Sequence, residues 1–145
     1  MISTFYTQDG KTVKPSLFDD EANNIASSFV ITEKDKDGRT FVYGVSKTQL
    51  RRLFDEVKRF EQNLNGESEV WQKHLPYIRM IKSKVSYNTS RAKEKERKKE
   101  KVYNNLSDFI TKGIDLIKKE EDYYVFLALF EAVYGFYYEK NPKDD

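Results

Sequence analysis

The sequence predicts an all-α protein, a small bundle of about five helices, and three observations carry that prediction. Ser46 to Leu64 opens with a helix cap and then sets Leu50, Leu53, Phe54, Val57, Phe60 and Leu64 at helical spacing. From Tyr77 to Ile117 an apolar stripe stays in phase at about 100° per residue. Tyr123 to Tyr138 is apolar nearly all round, as a central buried helix is. The 145 residues suffice for one domain with a real core. By pattern they divide into an extended lead-in (1–18), a single helical domain (19–140) and a polar tail (141–145), which is expected to fray.

The lead-in holds Gly10 and Pro15 and shows no sustained period. Asp19 or Asp20 can cap a short helix running to about Phe29, with Ala22, Ile25, Ala26 and Phe29 on its apolar side. Glu33 to Arg39 is a turn punctuated by Asp37-Gly38, and its flanks, 29–31 and 40–43, have strand composition. A small hairpin therefore competes there with the helical pattern.

Ser46 and Gln49 have capping-box spacing: the Ser hydroxyl accepts a first-turn amide while Gln49 reaches back to Ser46. Val45 and Leu50 have the spacing of a hydrophobic staple, and Asn65-Gly66 ends the helix. Trp71 and Leu75 suggest a helical turn, and Pro76 starts or kinks the next helix. Tyr77, Ile78, Ile81, Lys84, Val85 and Asn88 share one face. Val102, Leu106, Phe109, Ile110 and Ile117 continue it in phase, before and after Gly113. One very long helix fits this pattern, and so does a break at Asn104-Asn105 with Ser107 capping a second helix. Between the stripes, Arg91 to Lys101 sets Lys95 and Lys99 where the apolar face should be. It is expected to protrude as a solvated helical arm or to form a mobile linker.

Most catalytic chemistries lack their residues here. With no cysteine there is no disulfide, thiol catalysis or thiolate-bound metal, and His74 stands alone beside Pro76. Asp35, Asp37 and Gly38 depart from a calcium loop, since the glycine comes early and Ser46 stands where the bidentate Glu belongs. The glycines are isolated, so no phosphate-cradling loop precedes a helix. A non-enzyme without cofactor or metal is expected. Glu131 is a carboxylate on the most hydrophobic helix, expected to be a buried structural acid paired with a base or a hydrogen-bond donor. Gly135, four residues on, would let another helix approach closely. Met1-Ile2-Ser3-Thr4 lacks a basic region followed by an apolar run, and no uncharged stretch reaches membrane-span length. A cytoplasmic location without a membrane partner is expected.

Net charge is only +2, so its placement matters more than its sum. Lys47, Arg51 and Lys58 fall within about 40° of one another on one flank of the capped helix. Lys82, Lys84 and Arg91 make a second basic edge with Tyr87 interleaved. Cations beside an aromatic ring suit single-stranded nucleic acid, and they equally suit a helical protein–protein interaction module whose basic stripe binds an acidic protein partner. In Arg91 to Lys101 the glutamates alternate with lysines, a pattern of intrahelical ion pairs that makes a poor phosphate surface. No short helix pair with a tight glycine turn supports a helix-turn-helix DNA binder.

Three segments in order resemble the small subunit of the type III-A CRISPR effector, the helical subunit of the Csm complex. They are Ser46-Lys-Thr-Gln-Leu-Arg-Arg-Leu-Phe54-Asp-Glu-Val57, Lys84-Val-Ser-Tyr87-Asn-Thr-Ser-Arg91 and Leu129-Phe-Glu-Ala-Val-Tyr-Gly-Phe-Tyr-Tyr138. The family shares a Ser-Gln-(Ile/Leu)-Arg type start, a Lys/Leu-x-x-Tyr-x-x-x-Arg segment and a late aromatic Phe-x-Glu-Ala helix. Thr48 stands where a serine is common, Asn88-Thr89-Ser90 replaces a run of small residues, and the Arg91 to Lys101 segment is unusually charged. These departures leave open a compact bundle or a helix-exchanged dimer. The resemblance implies a non-catalytic subunit, present in several stacked copies, that contacts the repeated backbone subunit and the large polymerase-like subunit. It would hold target RNA and the crRNA guide–target duplex through the sugar-phosphate backbone, sequence being read by base pairing. Lys47, Arg51, Lys58, Lys82, Lys84 and Arg91 are the phosphate contacts expected on that reading.

Overall fold

The computed structural model describes residues 2–140 and Pro142. Among them five helices of 12 to 20 residues follow a short helical start and one hairpin, so the protein is mostly helical with a small two-stranded sheet. The polar tail expected to fray lies, apart from Pro142, outside the described residues.

Helical winding begins at Leu17, ahead of the acidic pair, as a π-turn over Leu17–Glu21 that runs into α1 (Ala22–Ser27). Ser16 precedes it without a side-chain cap bond, so Asp19 and Asp20 lie inside the first turn rather than before it. Ala22, Ile25, Ala26 and Phe29 are all buried. The hairpin then forms in full: β1 (Val30–Lys34) pairs antiparallel with β2 (Thr40–Gly44), Val30 opposite Gly44 and Lys34 opposite Thr40. Gly38, at φ 79°, takes the left-handed position in its turn. The Asp35 carboxylate accepts the amides of Asp37 (2.9 Å) and Arg39 (2.8 Å), so turn chemistry outweighs the helical alternative here.

Helix α2 (Lys47–Lys58) starts where the cap predicts but uses half of the box. Ser46 Oγ accepts the Gln49 amide at 3.2 Å, while Gln49 Nε2 turns away to donate to the Asn88 carbonyl, also at 3.2 Å. The Ser46 amide is taken by Tyr103 Oη at 2.9 Å, which leaves nothing for Gln49 to satisfy. Val45 and Leu50 are both buried, as a staple requires. The helix stops at Lys58, and a 3₁₀ turn (Glu61–Asn63) still delivers Phe60 and Leu64 to the core.

Pro76 does not start a helix: α3 (Ser68–Arg79) runs through it. Pro76 and Gln72 are exposed, so solvent can satisfy the carbonyl that the proline leaves without a donor. After a junction at Met80, α4 (Ile81–Lys95) ends as Glu96 leaves helical geometry at φ −138°, ψ 89°. A 3₁₀ turn (Arg97–Lys99) leads directly into α5 (Glu100–Asp115). The contacts Lys82–Asp115 (2.6 Å) and Lys93–Asn104 (2.9 Å) show α4 and α5 running antiparallel, side by side.

The charged segment is therefore the turn of a helical hairpin, and neither a long protruding helix nor a loose linker. Lys99 is only 4% exposed and pairs with Glu96 at 3.4 Å, and the Lys98 ammonium sits 4.6 Å from the Tyr43 ring centroid. Lysine stems cover apolar surface while their charged ends are paired, which is how a charged run can be packed. The phase agreement between residues 81 and 117 therefore does not mark one helix, because α4 and α5 are separate. Helix exchange finds no support, since α4 and α5 close on each other within one chain.

Helix α6 (Glu120–Glu139) carries the core. Tyr123, Phe126, Phe130, Val133 and Tyr137 are fully buried, and Phe109 of α5 meets the rings of Phe126 and Phe130 at 5.5 and 5.4 Å. Gly113 lies within α5, where the Phe126 ring occupies the place of its absent Cβ. One side of α6 nevertheless faces out along Tyr124, Ala128, Glu131, Gly135 and Tyr138. Glu131 is thus exposed, a correction to the buried acid expected there: the helix is apolar in composition but covered on one side only. Nothing lies within 4 Å of a Cβ built on Gly135, so no helix approaches it among the described residues. The buried acid of α6 is Asp122, which accepts the amides of Lys118 (2.9 Å) and Lys119 (3.1 Å) and the Tyr6 hydroxyl.

Candidate nucleic-acid interface

Three buried tyrosine hydroxyls set the position of α2. Tyr137 donates to the Val45 carbonyl (2.5 Å), Tyr103 accepts from Ser46, and Tyr123 donates to the Val57 carbonyl (2.6 Å). Both ends of the helix are thereby tied to α5 and α6, and its remaining sides point outward or toward α4.

The two predicted basic edges do not merge. On α2, Lys47 turns toward the end of α6, its ammonium 5.1 Å from the Tyr138 ring centroid. Arg51 is exposed, and exposed Lys58 lies 5.8 Å from the Phe54 ring centroid. On α4, Lys82 faces away from α2 and pairs with Asp115 of α5. Lys84 pairs with Glu56 of α2 at 2.8 Å. These lysines hold both carboxyls below their ordinary range, each chiefly through the hydrogen bond it donates. Arg91 is exposed, its guanidinium 3.3 Å from the Tyr87 hydroxyl.

Between α2 and α4 the helices stand apart and leave two adjoining depressions. One, of about 440 Å³, is lined by Ser46, Gln49, Arg52, Asn88, Arg91 and Lys95. The other, of about 470 Å³, shares Arg52 and Asn88 with it and adds Asp55, Glu56, Lys84 and Tyr87, which is 61% exposed. Arg52, Arg91 and Lys95 have no ion pair among the described residues, whereas Glu96 at the edge is engaged by Lys99. The amino end of α2 adds its partial positive charge at the Ser46 side. A groove of this kind can accept phosphates along its cations and a base against Tyr87.

Arg52 and Lys95 were absent from the predicted contacts. The Arg51-Arg52 doublet is the sequence signal for the first, since the two side chains point about 100° apart and so to different flanks. Lys95 stands out as a charge on an apolar phase, a position that the hairpin turns into the rim of a groove.

His74 Nδ1 lies 2.9 Å from the Val70 carbonyl, and its ring meets Phe60 edge-on. Among the described residues no group of three or more histidine or acidic side chains could hold a metal ion. No helix there is long and apolar enough to cross a membrane.

The described residues thus form a mostly helical scaffold with shallow, polar surface grooves. Residues 16–142 match the family model described as Csm2 Type III-A, and the chain belongs to that family, the small subunit of the type III-A CRISPR Csm effector complex. Csm2 is a non-catalytic structural subunit, and membership implies other Csm subunits and crRNA around it. No curated protein and no solved structure matches the chain.

Proposed function

We propose that this subunit holds target RNA and the guide–target duplex through the sugar-phosphate backbone, without reading sequence. The observation that carries the reading is the α2–α4 groove, where Arg52, Arg91 and Lys95 face one channel without a described acid partner. Arg51 and Lys58 extend the basic surface on the outer flank of α2, with Lys47 at its start. Lys82 and Lys84 contribute less, because each is already neutralised by a carboxylate within 3 Å. The repeated backbone subunit, the large polymerase-like subunit and further copies of this chain would hold the groove along the RNA, in the cytoplasm.

Fluorescence anisotropy with unrelated single-stranded RNAs at several salt concentrations tests this. Phosphate binding predicts similar affinity for each RNA and a log–log salt slope of roughly −0.7 per contact. Salt-insensitive or sequence-restricted binding would overturn it. Unchanged RNA affinity after Arg52→Glu and Arg91→Glu, with loss of a protein partner, would favour an acidic protein as the ligand instead.

A further inference from the structure

The carboxyl end of α2 opens onto another cavity, of about 330 Å³, between the Glu61–Asn63 turn and α3. It is joined to the α2–α4 groove by a shallow depression that shares Asp55 with the groove and Arg59 and Gln62 with the cavity. The depressions thus adjoin one another along α2, the linking one carrying Lys58 and Arg59 beside Asp55 and Glu61.

Buried Phe60 forms the floor of this cavity. The Arg59 guanidinium sits 4.4 Å from its ring centroid and the His74 ring stands edge-on at 6.4 Å. The Val70 carbonyl can only accept, so the proton of neutral His74 is on Nδ1 and Nε2 is an acceptor. Tyr77, 54% exposed, forms a wall. Its hydroxyl, the Lys73 ammonium and the side-chain amide of Asn63 have no hydrogen-bond partner among the described residues. Arg59 is engaged by Glu56 at 3.3 Å, so the free cation is Lys73.

An open aromatic face, an unpaired amide, an acceptor nitrogen and one free cation match the parts of a single nucleotide: base plane, base edge and phosphate. The volume lies at the small end of ligand pockets, roughly 300–1,000 Å³, which suits one base. We propose that this cavity is a subsite for one unstacked ribonucleotide of the bound strand. Its base stacks on Tyr77, its edge meets Asn63 and His74 Nε2, and its phosphate pairs with Lys73. The inference rests on the RNA-binding reading for the strand, and adds to it a contact made by stacking rather than by charge.

Single-stranded RNA binding by the full chain, compared between wild type, Tyr77→Ala and Tyr77→Phe across a salt series, tests it. The expected result is about a tenfold loss for Tyr77→Ala with an unchanged salt slope, and near wild-type affinity for Tyr77→Phe. Charge reversal in the groove changes the slope instead, so the two readings fail separately. Unchanged affinity for Tyr77→Ala would overturn the subsite and leave the groove standing. If the chain binds no RNA at any salt, titration with AMP and UMP followed by NMR decides. Shifts confined to the Tyr77 and His74 rings support the nucleotide subsite, and their absence at millimolar nucleotide overturns it.

Discussion

The Tyr123 hydroxyl donates to the Val57 carbonyl across 2.6 Å, wholly inside the protein, and so joins the middle of the core to the last turn of the groove-bearing helix. Tyr137 does the same for Val45 at the other end. Tyr123→Phe removes a buried donor and leaves a helix-terminal carbonyl unsatisfied, which costs about 1–3 kcal/mol. Urea denaturation should show this loss for Tyr123→Phe and for Tyr137→Phe. An exposed tyrosine, tested as Tyr138→Phe, should leave the midpoint nearly unchanged.

Gly113→Ala ordinarily stabilises a helix by about 1 kcal/mol. Here the new methyl would lie 2.1 Å from the Phe126 ring, among rings that are already closely packed. Overpacking costs about 1–3 kcal/mol, so the variant should be less stable than wild type. A lower thermal midpoint measures it, and a higher one would show that Phe126 can move aside.

Alkaline pH should destabilise the protein through its tyrosines. Tyr43 and Tyr124 are pushed up to about 12, chiefly by donating to Glu33 and Glu120, and Tyr6 to about 12 by burial and then by Asp122. In the unfolded chain these phenols ionise near 10.0. Above that pH the unfolded state binds fewer protons, so stability falls as pH rises from about 10 toward 12. Denaturation midpoints at pH 8, 10 and 11 should decline in that order.

At low pH the sign reverses. Glu56 and Asp115 titrate below their ordinary values of 4.5 and 3.8, each held chiefly by the hydrogen bond from its lysine. Their stabilising pairs are fully present above those values and are lost as pH falls through the depressed pKa. Both acids are well solvated, so the effect on stability is small. The direct readout is NMR titration of the Glu56 carboxyl, which should rise toward 4.5 in Lys84→Met.

The cations should rank by their pairing. Arg52→Glu and Arg91→Glu should weaken single-stranded RNA binding and flatten its salt slope by roughly 0.7 for each lost contact. Lys82→Met, which removes a cation already committed to Asp115 and facing away from the groove, should change affinity less than twofold, on the scale of a weak surface ion pair. Equal losses for all three would mean that the RNA lies across α4 rather than along α2.

Much of this architecture was legible in local patterns. Ser46 with the stripe Leu50–Leu53–Val57 announces α2, and Tyr123–Tyr137 announces the central helix, because both signals depend on neighbours within a few residues. The hairpin was harder: its strands are five residues each, too short for periodicity to choose between strand and helix. Glu131 and Gly135 misled for the opposite reason. An almost uniformly apolar helix does not say which side lacks a neighbour.

By itself, then, the sequence determined the helical class, the buried stripes and a set of basic side chains at helical spacing. The family resemblance carried by three short segments also lay in the chain, and the match over residues 16–142 bears it out. Only the tertiary structure decided that Arg91 to Lys101 folds back, that Lys82 and Lys84 are neutralised, and that Arg52 and Lys95 share a groove with Arg91. The reason is physical: periodicity reports which way a side chain points from its own axis. Whether a charge is free depends on what another helix, distant in sequence, brings to within a few ångströms of it.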